Sequence, residues 1–119
     1  MTLTLVRRPA GADCASILAD LPEWFGIPAS NAAYAEAAER GPSWVAQDAG
    51  RAVGLMVLTD TGFSALDIHL LAVRRDRHRQ GVGRRLVDEA RAYARSLARP
   101  YLTVKTQGPS AGHESYERT

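Results

Sequence analysis

Two glycines spaced by one residue stand between a basic segment and a segment with helical periodicity. Gly81 and Gly83 follow a segment with two arginines, Arg77-His78-Arg79-Gln80, and an amphipathic pattern opens directly after them. The first N–H groups of a helix have no intrahelical partner and lie at the positive end of the helix dipole. Glycines leave these donors accessible, because they carry no side chain that would keep a ligand away. The spacing therefore predicts a binding site for a phosphate-bearing ligand.

Arginines supply positive charge around this segment. The arginines that surround the two glycines are Arg77, Arg79, Arg84 and Arg85. A solvated helix face also carries arginines, and Arg91, Arg95 and Arg99 fit that simpler interpretation. Arg79 and Arg84 differ from these three because they stand at the predicted helix start, where an anion would bind. We predict that Arg79 and Arg84 contribute to the anion site.

The composition is that of one ordinary globular domain. The chain has 119 residues, of which 45% are hydrophobic and 24% charged, and this suits a single domain with a core. The formal charge of +2 is too small to indicate nucleic-acid binding. Cys14 is the single cysteine, so neither an intramolecular disulfide nor a cysteine zinc cluster is expected. His113 and Glu114 have no further ligands at useful spacing, and no metal is predicted.

The sequence shows neither the apolar core of a signal peptide nor an apolar run of membrane length. Arg7 and Arg8 interrupt the first apolar residues, and the later apolar stretches are short. Membrane binding is therefore not expected. These features predict a cytoplasmic protein.

Alternation and turn residues predict the elements that come before the glycines. Leucines alternating with threonines indicate a strand over residues 3–6. A helix capped by Asp13 follows, and a second helix is expected over residues 31–40 with Asn31 as its cap. Between these helices lies a rigid aromatic loop, residues 22–28. The aromatic loop is thus held at both ends by helices.

After the second predicted helix, the apolar pattern becomes that of β-strands. A turn signal at residues 48–51 joins two apolar runs into a β-hairpin. Residues 65–73 are apolar on both faces except at Asp67 and His69, which suits a central strand covered on two sides.

After the glycines, one long helix and one strand are predicted. The helix has an apolar face and a charged face, the pattern of a helix that lies on a sheet. Residues 101–105 form the last predicted strand, and residues 107–119 have no apolar periodicity, which indicates a loop. A strand, helix and strand in succession imply a parallel pair with a right-handed crossover.

Residues 80–83, with the strand and basic turn before them and the amphipathic helix after them, resemble the acyl-CoA loop of the GNAT superfamily, the GCN5-related N-acetyltransferases. The family motif is Gln or Arg, two residues, Gly, one residue, then Gly or Ala, and its amides hold the CoA pyrophosphate. The order of elements resembles the family over nearly the whole chain. The resemblance implies an α/β fold with a mixed α+β sheet, in which mostly antiparallel N-terminal strands precede a parallel pair joined by a crossover helix.

The resemblance also implies which residues bind acetyl-CoA. Strand backbone groups would face the pantetheine arm, and the loop would cradle the pyrophosphate. The implied cofactor-binding residues are Leu71, Ala72, Val73, His78, Arg79, Gln80, Gly81, Val82, Gly83 and Arg84. His78 departs from the motif, because it holds the position where Gln or Arg is usual. We expect the change to be tolerated, since the family uses the backbone at that position.

The end of the chain is a second departure. Similar members continue past the last strand with another helix and strands, including a Phe-Tyr…Gly-Phe segment whose tyrosine often protonates the departing thiolate. We therefore expect residues 1–119 to form a single N-acetyltransferase domain that lacks the last helix and strands. Tyr116 precedes the expected helix and is no safe substitute for that tyrosine. The strand at residues 101–105 would then have an unpaired edge, which predicts a homodimer through this edge.

Amine acetylation requires a neutral amine, a group or water path that takes its proton, and donors for the developing oxyanion. Asp67 and His69 are two residues apart on the central strand, so they should share a face with Leu71 and Val73. His69 is the better base by intrinsic pKa. Both residues fit equally well as hydrogen-bonded structural groups, and many family members use water relays instead.

Trp24 and Phe25 are candidates for the acceptor pocket, since family members usually build that wall from the loop between the first two helices. A core plug explains the two aromatic residues as well.

Three functions follow. The first is an acetyl-CoA-dependent N-acetyltransferase acting on a primary amine of a small molecule or protein. The second is a CoA-binding module with little or no turnover, because the catalytic C-terminal segment is absent. The third is a nucleic-acid-binding domain, which rests on the basic turn alone and lacks interleaved aromatic residues. We expect the first, with no nucleic acid among its partners.

Overall fold

The computed structural model describes residues 2–60, 62, 64–105 and 114–118, and the side chains of residues 105 and 114–118 fall outside this description. One six-stranded sheet runs through these residues in the order β1 to β6. The strands are β1 Leu3–Arg7, β2 Ser43–Asp48, β3 Arg51–Asp60, β4 Ala65–Val73, β5 Tyr101–Lys105 and β6 Glu114–Arg118. The helices are α1 Gly11–Ala19, α2 Pro28–Arg40, α3 Val82–Ser96 and the short 3₁₀ helix Arg75–Arg77.

Neighbouring strands are antiparallel except for β4 and β5, which are parallel and are joined through α3. This mixed α/β architecture confirms the predicted fold class. None of the described helices is long and apolar enough to span a membrane.

Local chemistry explains where several elements begin and turn. The β2–β3 hairpin turns at Ala49 and Gly50, both with positive φ (51° and 80°), as the two central residues of a type I′ turn require. Helix α2 begins at Pro28 and not at the predicted residue 31, because a proline fits the first helical position, where no N–H partner is needed. Asn31 is therefore not its cap. Asp13 likewise lies inside the first turn of α1 and does not cap it.

Two apolar clusters, one on each face of the sheet, form the core. Helix α3 buries Val82, Leu86, Ala90 and Ala94 against one face, which confirms the predicted amphipathic helix. On the other face, α1 buries Cys14, Ile17 and Leu18. The sheet is thus covered on both sides by helices, and β4 lies between the two clusters.

A β-bulge at His69 divides β4. Val57 of β3 pairs with Leu70, and the next residue, Leu58, pairs with Ile68, so His69 has no partner across the ladder. Ile68 consequently packs in the α3 cluster, whereas Leu70 packs in the α1 cluster. An extra residue reverses the alternation of side chains along a strand.

The bulge corrects one prediction about side-chain direction. Leu71 and Val73 pack against the α3 cluster, while His69 lies beside Tyr34 of α2 on the opposite face of the sheet. The predicted common face of His69, Leu71 and Val73 is therefore wrong.

The C-terminal residues are also corrected. Residues 114–118, predicted as loop, form β6 and pair antiparallel with the whole of β5. The edge of β5 is thus covered by the chain itself, and the prediction of a homodimer through that edge loses its basis. Residues 107–113 and 119 of the predicted loop lie outside the described residues.

Candidate functional site

A cavity of about 490 Å³ lies between β4, the start of α3 and the loop that joins α1 to α2. Most of the predicted site residues line it. Those residues are Trp24, Phe25, His69, Leu71, Ala72, Val73, His78, Arg79, Gly81, Val82, Gly83 and Arg84. Asp67 and Gln80 are not in the lining. The structure therefore brings the predicted anion loop and the predicted aromatic wall to one space.

One edge of β4 faces the cavity. Strand β5 pairs with β4 only from Ala65 to Ile68, so beyond the bulge that edge has no strand partner among the described residues. The N–H of Arg74 donates to the Val53 carbonyl in β3 at 2.8 Å. Because alternate residues of a strand direct their backbone groups to opposite edges, Leu71 and Val73 direct theirs away from β3. Their N–H and C=O groups are the ones that face the cavity.

Ala72 has the opposite backbone orientation. Its carbonyl oxygen lies 3.4 Å from the position that a Cβ on Gly54 of β3 would take. The Ala72 backbone therefore faces β3, and only its place in the cavity lining agrees with the expected ligand contact.

The start of α3 presents free backbone donors to the same cavity. Gly81 is the N-cap with φ 84°, and no side chain caps the helix. The N–H of Arg85 donates to the Gly81 carbonyl at 3.0 Å. The preceding N–H groups, those of residues 82–84, have no intrahelical acceptor. These donors lie at the positive end of a 15-residue helix, an arrangement that suits an anionic group.

Gly83 is not required by the packing of the protein. A Cβ at this position would meet only Val73 Cγ2, at an ordinary contact distance of 3.9 Å. A glycine inside a helix nevertheless costs about 1 kcal/mol of helix stability relative to alanine. Gly83 therefore leaves space in the cavity lining that an alanine methyl group would fill, at some cost to the fold.

Arg79 and Arg84 add charge at the mouth of this site. Both side chains are exposed, and both residues line the cavity. Neither forms an ion pair with another described residue. Arg79 has φ 63°, a left-handed conformation that costs a non-glycine residue about 1–2 kcal/mol. The loop thus holds a strained arginine beside the anion site.

Arg77 has a different role from the one predicted. Its guanidinium contacts Asp48 at 3.2 Å and Asp76 at 3.6 Å. Asp76 also pairs with Arg51 at 3.0 Å, and the hydrogen bond from Arg51 lowers the pKa of the Asp76 carboxyl. These contacts tie the basic loop to the β2–β3 hairpin. The charge of Arg77 is therefore balanced by aspartates before any ligand binds.

Arg75 ties the same loop to the aromatic loop. Its backbone N–H donates to Asp20 Oδ2 at 2.9 Å, and its side chain donates to Glu23. The hydrogen bond from Arg75 lowers the pKa of the Glu23 carboxyl. The Arg75 guanidinium also lies 6.0 Å from the centre of the Trp24 ring. The aromatic loop that contains Trp24 is therefore fixed to the basic segment that precedes α3.

His78 forms a hydrogen bond with one of the backbone groups on the open edge of β4. Its Nε2 donates to the Val73 carbonyl at 2.7 Å, and its ring meets Trp24 edge-on at 6.1 Å between centroids. The motif departure at this position thus has a structural consequence, because the imidazole occupies an acceptor on the open strand edge.

The two candidate catalytic residues occupy different surroundings. His69 lines the cavity, with its ring centre 5.4 Å from that of Tyr34. Asp67 accepts a hydrogen bond from the Thr103 hydroxyl at 2.6 Å, which links β4 to β5 outside the cavity lining. Of these two candidates, His69 lines the cavity and Asp67 does not.

Tyr34 packs beside the aromatic wall formed by Trp24 and Phe25, and the sequence analysis did not single it out. Trp24 is half-buried, while Phe25 is buried in the α1 cluster and meets Tyr34 edge-on at 5.9 Å. Tyr34 contacts both Phe25 and His69. A single aromatic residue in the alanine-rich α2 was the available signal, but its direction depends on how α2 packs.

Burial raises the pKa of the Cys14 thiol to about 11, so this cysteine is a core residue and not a nucleophile. Within the described ranges, no group of three or more His, Cys, Asp or Glu side chains could hold a metal ion.

Comparisons with known proteins agree with this geometry. The Acetyltransferase (GNAT) family matches residues 13–118, and a search of curated proteins returned no match. Among solved structures, an IAA acetyltransferase from Bacillus cereus is similar with 26% identity and a TM-score of 0.72, covering 92% of this chain and 69% of that one.

Two further solved structures contain ligands. A GNAT family acetyltransferase from Elizabethkingia anophelis with acetyl-CoA bound is 20% identical with a TM-score of 0.67, covering 91% of this chain and 67% of that one. A diaminobutyrate acetyltransferase from Paenibacillus lautus, in complex with L-2,4-diaminobutyric acid and coenzyme A, is 14% identical with a TM-score of 0.73, covering 88% and 66%. At these identities the likeness shows the fold. Because the family match extends over residues 13–118, the chain belongs to the GNAT family of acetyltransferases.

Proposed function

We propose that this chain is an acetyl-CoA-dependent N-acetyltransferase that acetylates a primary amine of a small molecule or protein. The observation that carries the proposal is the joining of two sets of free backbone groups in one cavity. The edge groups of Leu71 and Val73 suit the amides of a pantetheine arm, and the N–H groups at the start of α3 suit a pyrophosphate.

The residues present fit this co-substrate in both shape and charge. Gly83 leaves the helix start accessible, and Arg79 and Arg84 add two positive charges beside it. His78 would release the Val73 carbonyl when the pantetheine amide takes its place, since both need the same acceptor. The co-substrate would supply an acetyl thioester at the end of the strand edge, near the bulge.

His69 is our candidate for the base. The amine nitrogen forms a bond to the acetyl carbon, the carbon–sulfur bond breaks, and the proton lost by the amine passes through His69 to the departing sulfur. A neutral imidazole accepts a proton near neutral pH. Its position on the bulge places it in the lining of the cavity. Asp67 would act at a distance, by holding β5 against β4 through Thr103.

Binding is tested by thermal unfolding of the 119-residue chain with acetyl-CoA, with adenosine as the control that lacks pyrophosphate and pantetheine. A ligand that binds only the folded state adds about 2.7 kcal/mol of apparent stability at one hundred times its dissociation constant. We expect a saturable rise with acetyl-CoA alone. The absence of a rise would overturn the proposal for this chain.

Turnover is tested by release of the CoA thiol, detected with a thiol reagent, in the presence of a panel of primary amines. Cys14 does not interfere, because it is fully buried in the folded protein. We expect the His69→Gln variant to lower kcat while leaving the acetyl-CoA stabilisation intact. Stabilisation without turnover of any amine would favour the alternative, a CoA-binding module.

A further inference from the structure

A second, smaller cavity of about 150 Å³ adjoins the aromatic loop. It shares Trp24 and Phe25 with the large cavity, so the two spaces meet at the same wall. Its lining also includes Ile27, Ser30, Asn31 and Tyr34.

The lining of the small cavity contains no charged side chain. Glu23 precedes Trp24 in the chain, but its carboxylate is hydrogen-bonded to Arg75. A second ammonium group on a ligand would therefore meet no carboxylate, and a ligand carboxylate would meet no cation. Burying an unpaired charge is unfavourable, so the cavity selects an uncharged group.

Size and shape narrow this group further. A space of about 150 Å³ is large enough to hold a ring of benzene size. The rings of Phe25 and Tyr34 meet edge-on with centroids 5.9 Å apart, and a third aromatic ring would extend this cluster. An aromatic or compact branched aliphatic group fits both the volume and the lining.

Asn31 contributes one polar feature. Its Nδ2 donates to the Phe25 carbonyl at 2.7 Å, and this bond fixes which end of the amide faces the carbonyl. Its Oδ1 is buried and accepts no hydrogen bond. Asn31 is therefore held in place by this bond, and its buried Oδ1 offers no exposed acceptor to a ligand.

The small cavity also lies close to the candidate base. Tyr34 lines the small cavity, and its ring centre is 5.4 Å from that of His69, which lines the large one. A molecule with its uncharged end against Tyr34 could therefore direct an amine on a short linker toward His69.

We propose, on the basis of the N-acetyltransferase function above, that the acetyl acceptor is a primary amine that carries one uncharged group of about benzene size, seated in the small cavity. Ser30, an exposed residue of the lining, is the position at which a larger side chain would exclude this group.

The experiment compares kcat/KM for 2-phenylethylamine with kcat/KM for lysine and spermidine. The Ser30→Leu variant fills the cavity from an exposed position on α2, and Ala33→Leu adds a leucine to an exposed position of the same helix outside the lining. We expect Ser30→Leu to lower kcat/KM for 2-phenylethylamine by about tenfold or more, with the acetyl-CoA stabilisation unchanged. Ala33→Leu should change neither quantity.

The outcomes separate this inference from the proposed function. Turnover of lysine or spermidine in preference to the phenyl amine, or indifference of the phenyl amine to Ser30→Leu, overturns the inference and leaves the acetyltransferase proposal standing. Where no amine is acetylated, binding of 2-phenylethylamine is measured by calorimetry with coenzyme A present. Binding that Ser30→Leu abolishes supports the cavity assignment, and the absence of binding refutes it.

Discussion

The two halves of β4 differ in what their outer edges contact. From Ala65 to Ile68 the strand lies between β3 and β5 and pairs with both. From Leu70 to Val73 it pairs with β3 alone, and its other edge faces a cavity. The bulge at His69 separates the halves. The closed half uses its backbone groups for the fold, whereas the open half keeps Leu71 and Val73 available for a ligand.

This comparison shows how one strand can serve both stability and binding. Backbone groups that pair with a neighbouring strand cannot also bind a ligand, and buried ones left unpaired are costly. The open half reduces that cost at Val73 through the His78 imidazole. Substitutions in the closed half should therefore alter stability, and substitutions around the open half should alter binding.

The largest effect is expected from Leu66→Ala in the closed half. Leu66 is fully buried in the α3 cluster, and such truncations cost about 2–5 kcal/mol. Leu71→Ala, at a half-buried position in the open half, should cost clearly less. Urea unfolding measures both, and equal losses would refute the distinction between the halves.

Gly83→Ala should separate stability from binding. Replacing a glycine in a helix by alanine raises the free energy of unfolding by about 0.5–1 kcal/mol, and the added methyl group has room in the protein. The same methyl group would occupy space in the cavity lining at the helix start and should weaken acetyl-CoA binding by about tenfold, or 1.4 kcal/mol. Thermal unfolding with and without acetyl-CoA measures both effects. A stabilised variant with unchanged affinity would show that the ligand does not approach this helix start.

His78→Phe tests the competition for the Val73 carbonyl. Phenylalanine keeps a ring beside Trp24 but cannot donate the hydrogen bond. Because such a bond contributes about 0.5–1.5 kcal/mol, acetyl-CoA affinity should rise by roughly two- to tenfold. Adenosine 3′,5′-bisphosphate lacks pantetheine and should bind both proteins equally. Weaker acetyl-CoA binding by the variant would mean that His78 contacts the ligand directly.

Arg79→Gly and Arg79→Ala separate backbone strain from charge. Both remove a positive charge beside the anion site and should weaken acetyl-CoA binding in calorimetry. Only glycine accepts the φ of 63° without strain, so it alone should stabilise the protein without ligand, by up to about 1 kcal/mol. Equal stability of the two variants would argue against a strained loop.

The smallest effect is expected from Asp60→Asn at the end of the closed half, where Asp60 pairs with Leu66. Hydrogen bonds from Arg99 and then from the Gly62 N–H lower the pKa of the Asp60 carboxyl. A lowered folded-state pKa gives stability that is present above the ordinary value of about 3.8 and is lost as the pH falls toward the folded-state value. Thermal unfolding from pH 6 to pH 2.5 should therefore show a shallower acid decline in the variant. Parallel curves would contradict the prediction.

Periodicity was sufficient for the elements that bury an apolar face. The predicted bounds of β4 and β5 agree with the structure, and α3 has the predicted buried face. The apolar period of a segment follows from its own backbone geometry. The glycine spacing likewise predicted the helix start at Val82, where the first N–H groups have no intrahelical partner; the anion site itself stays a prediction.

The sequence patterns did not predict β6 or the first residue of α2, because neither is marked by a buried apolar face. Strand β6 has no apolar alternation and is defined by its backbone pairing with β5, which depends on where β5 lies. Helix α2 begins at Pro28 and not at Asn31. The Asn31 side chain donates a hydrogen bond to the Phe25 carbonyl instead of capping the helix. Side-chain chemistry alone does not distinguish a helix cap from a loop contact.

The sequence by itself determined the glycine loop, the amphipathic helix after it and the strand before it, because each is encoded in neighbouring residues. Only the tertiary structure decided the rest of the site. The bulge set the direction of His69, and the limited pairing with β5 opened the strand edge. Ion pairs with Asp48 and Asp76 balance the charge of Arg77, although this residue also lines the cavity. These features depend on strand register and on contacts between residues far apart in the chain, which no local pattern encodes.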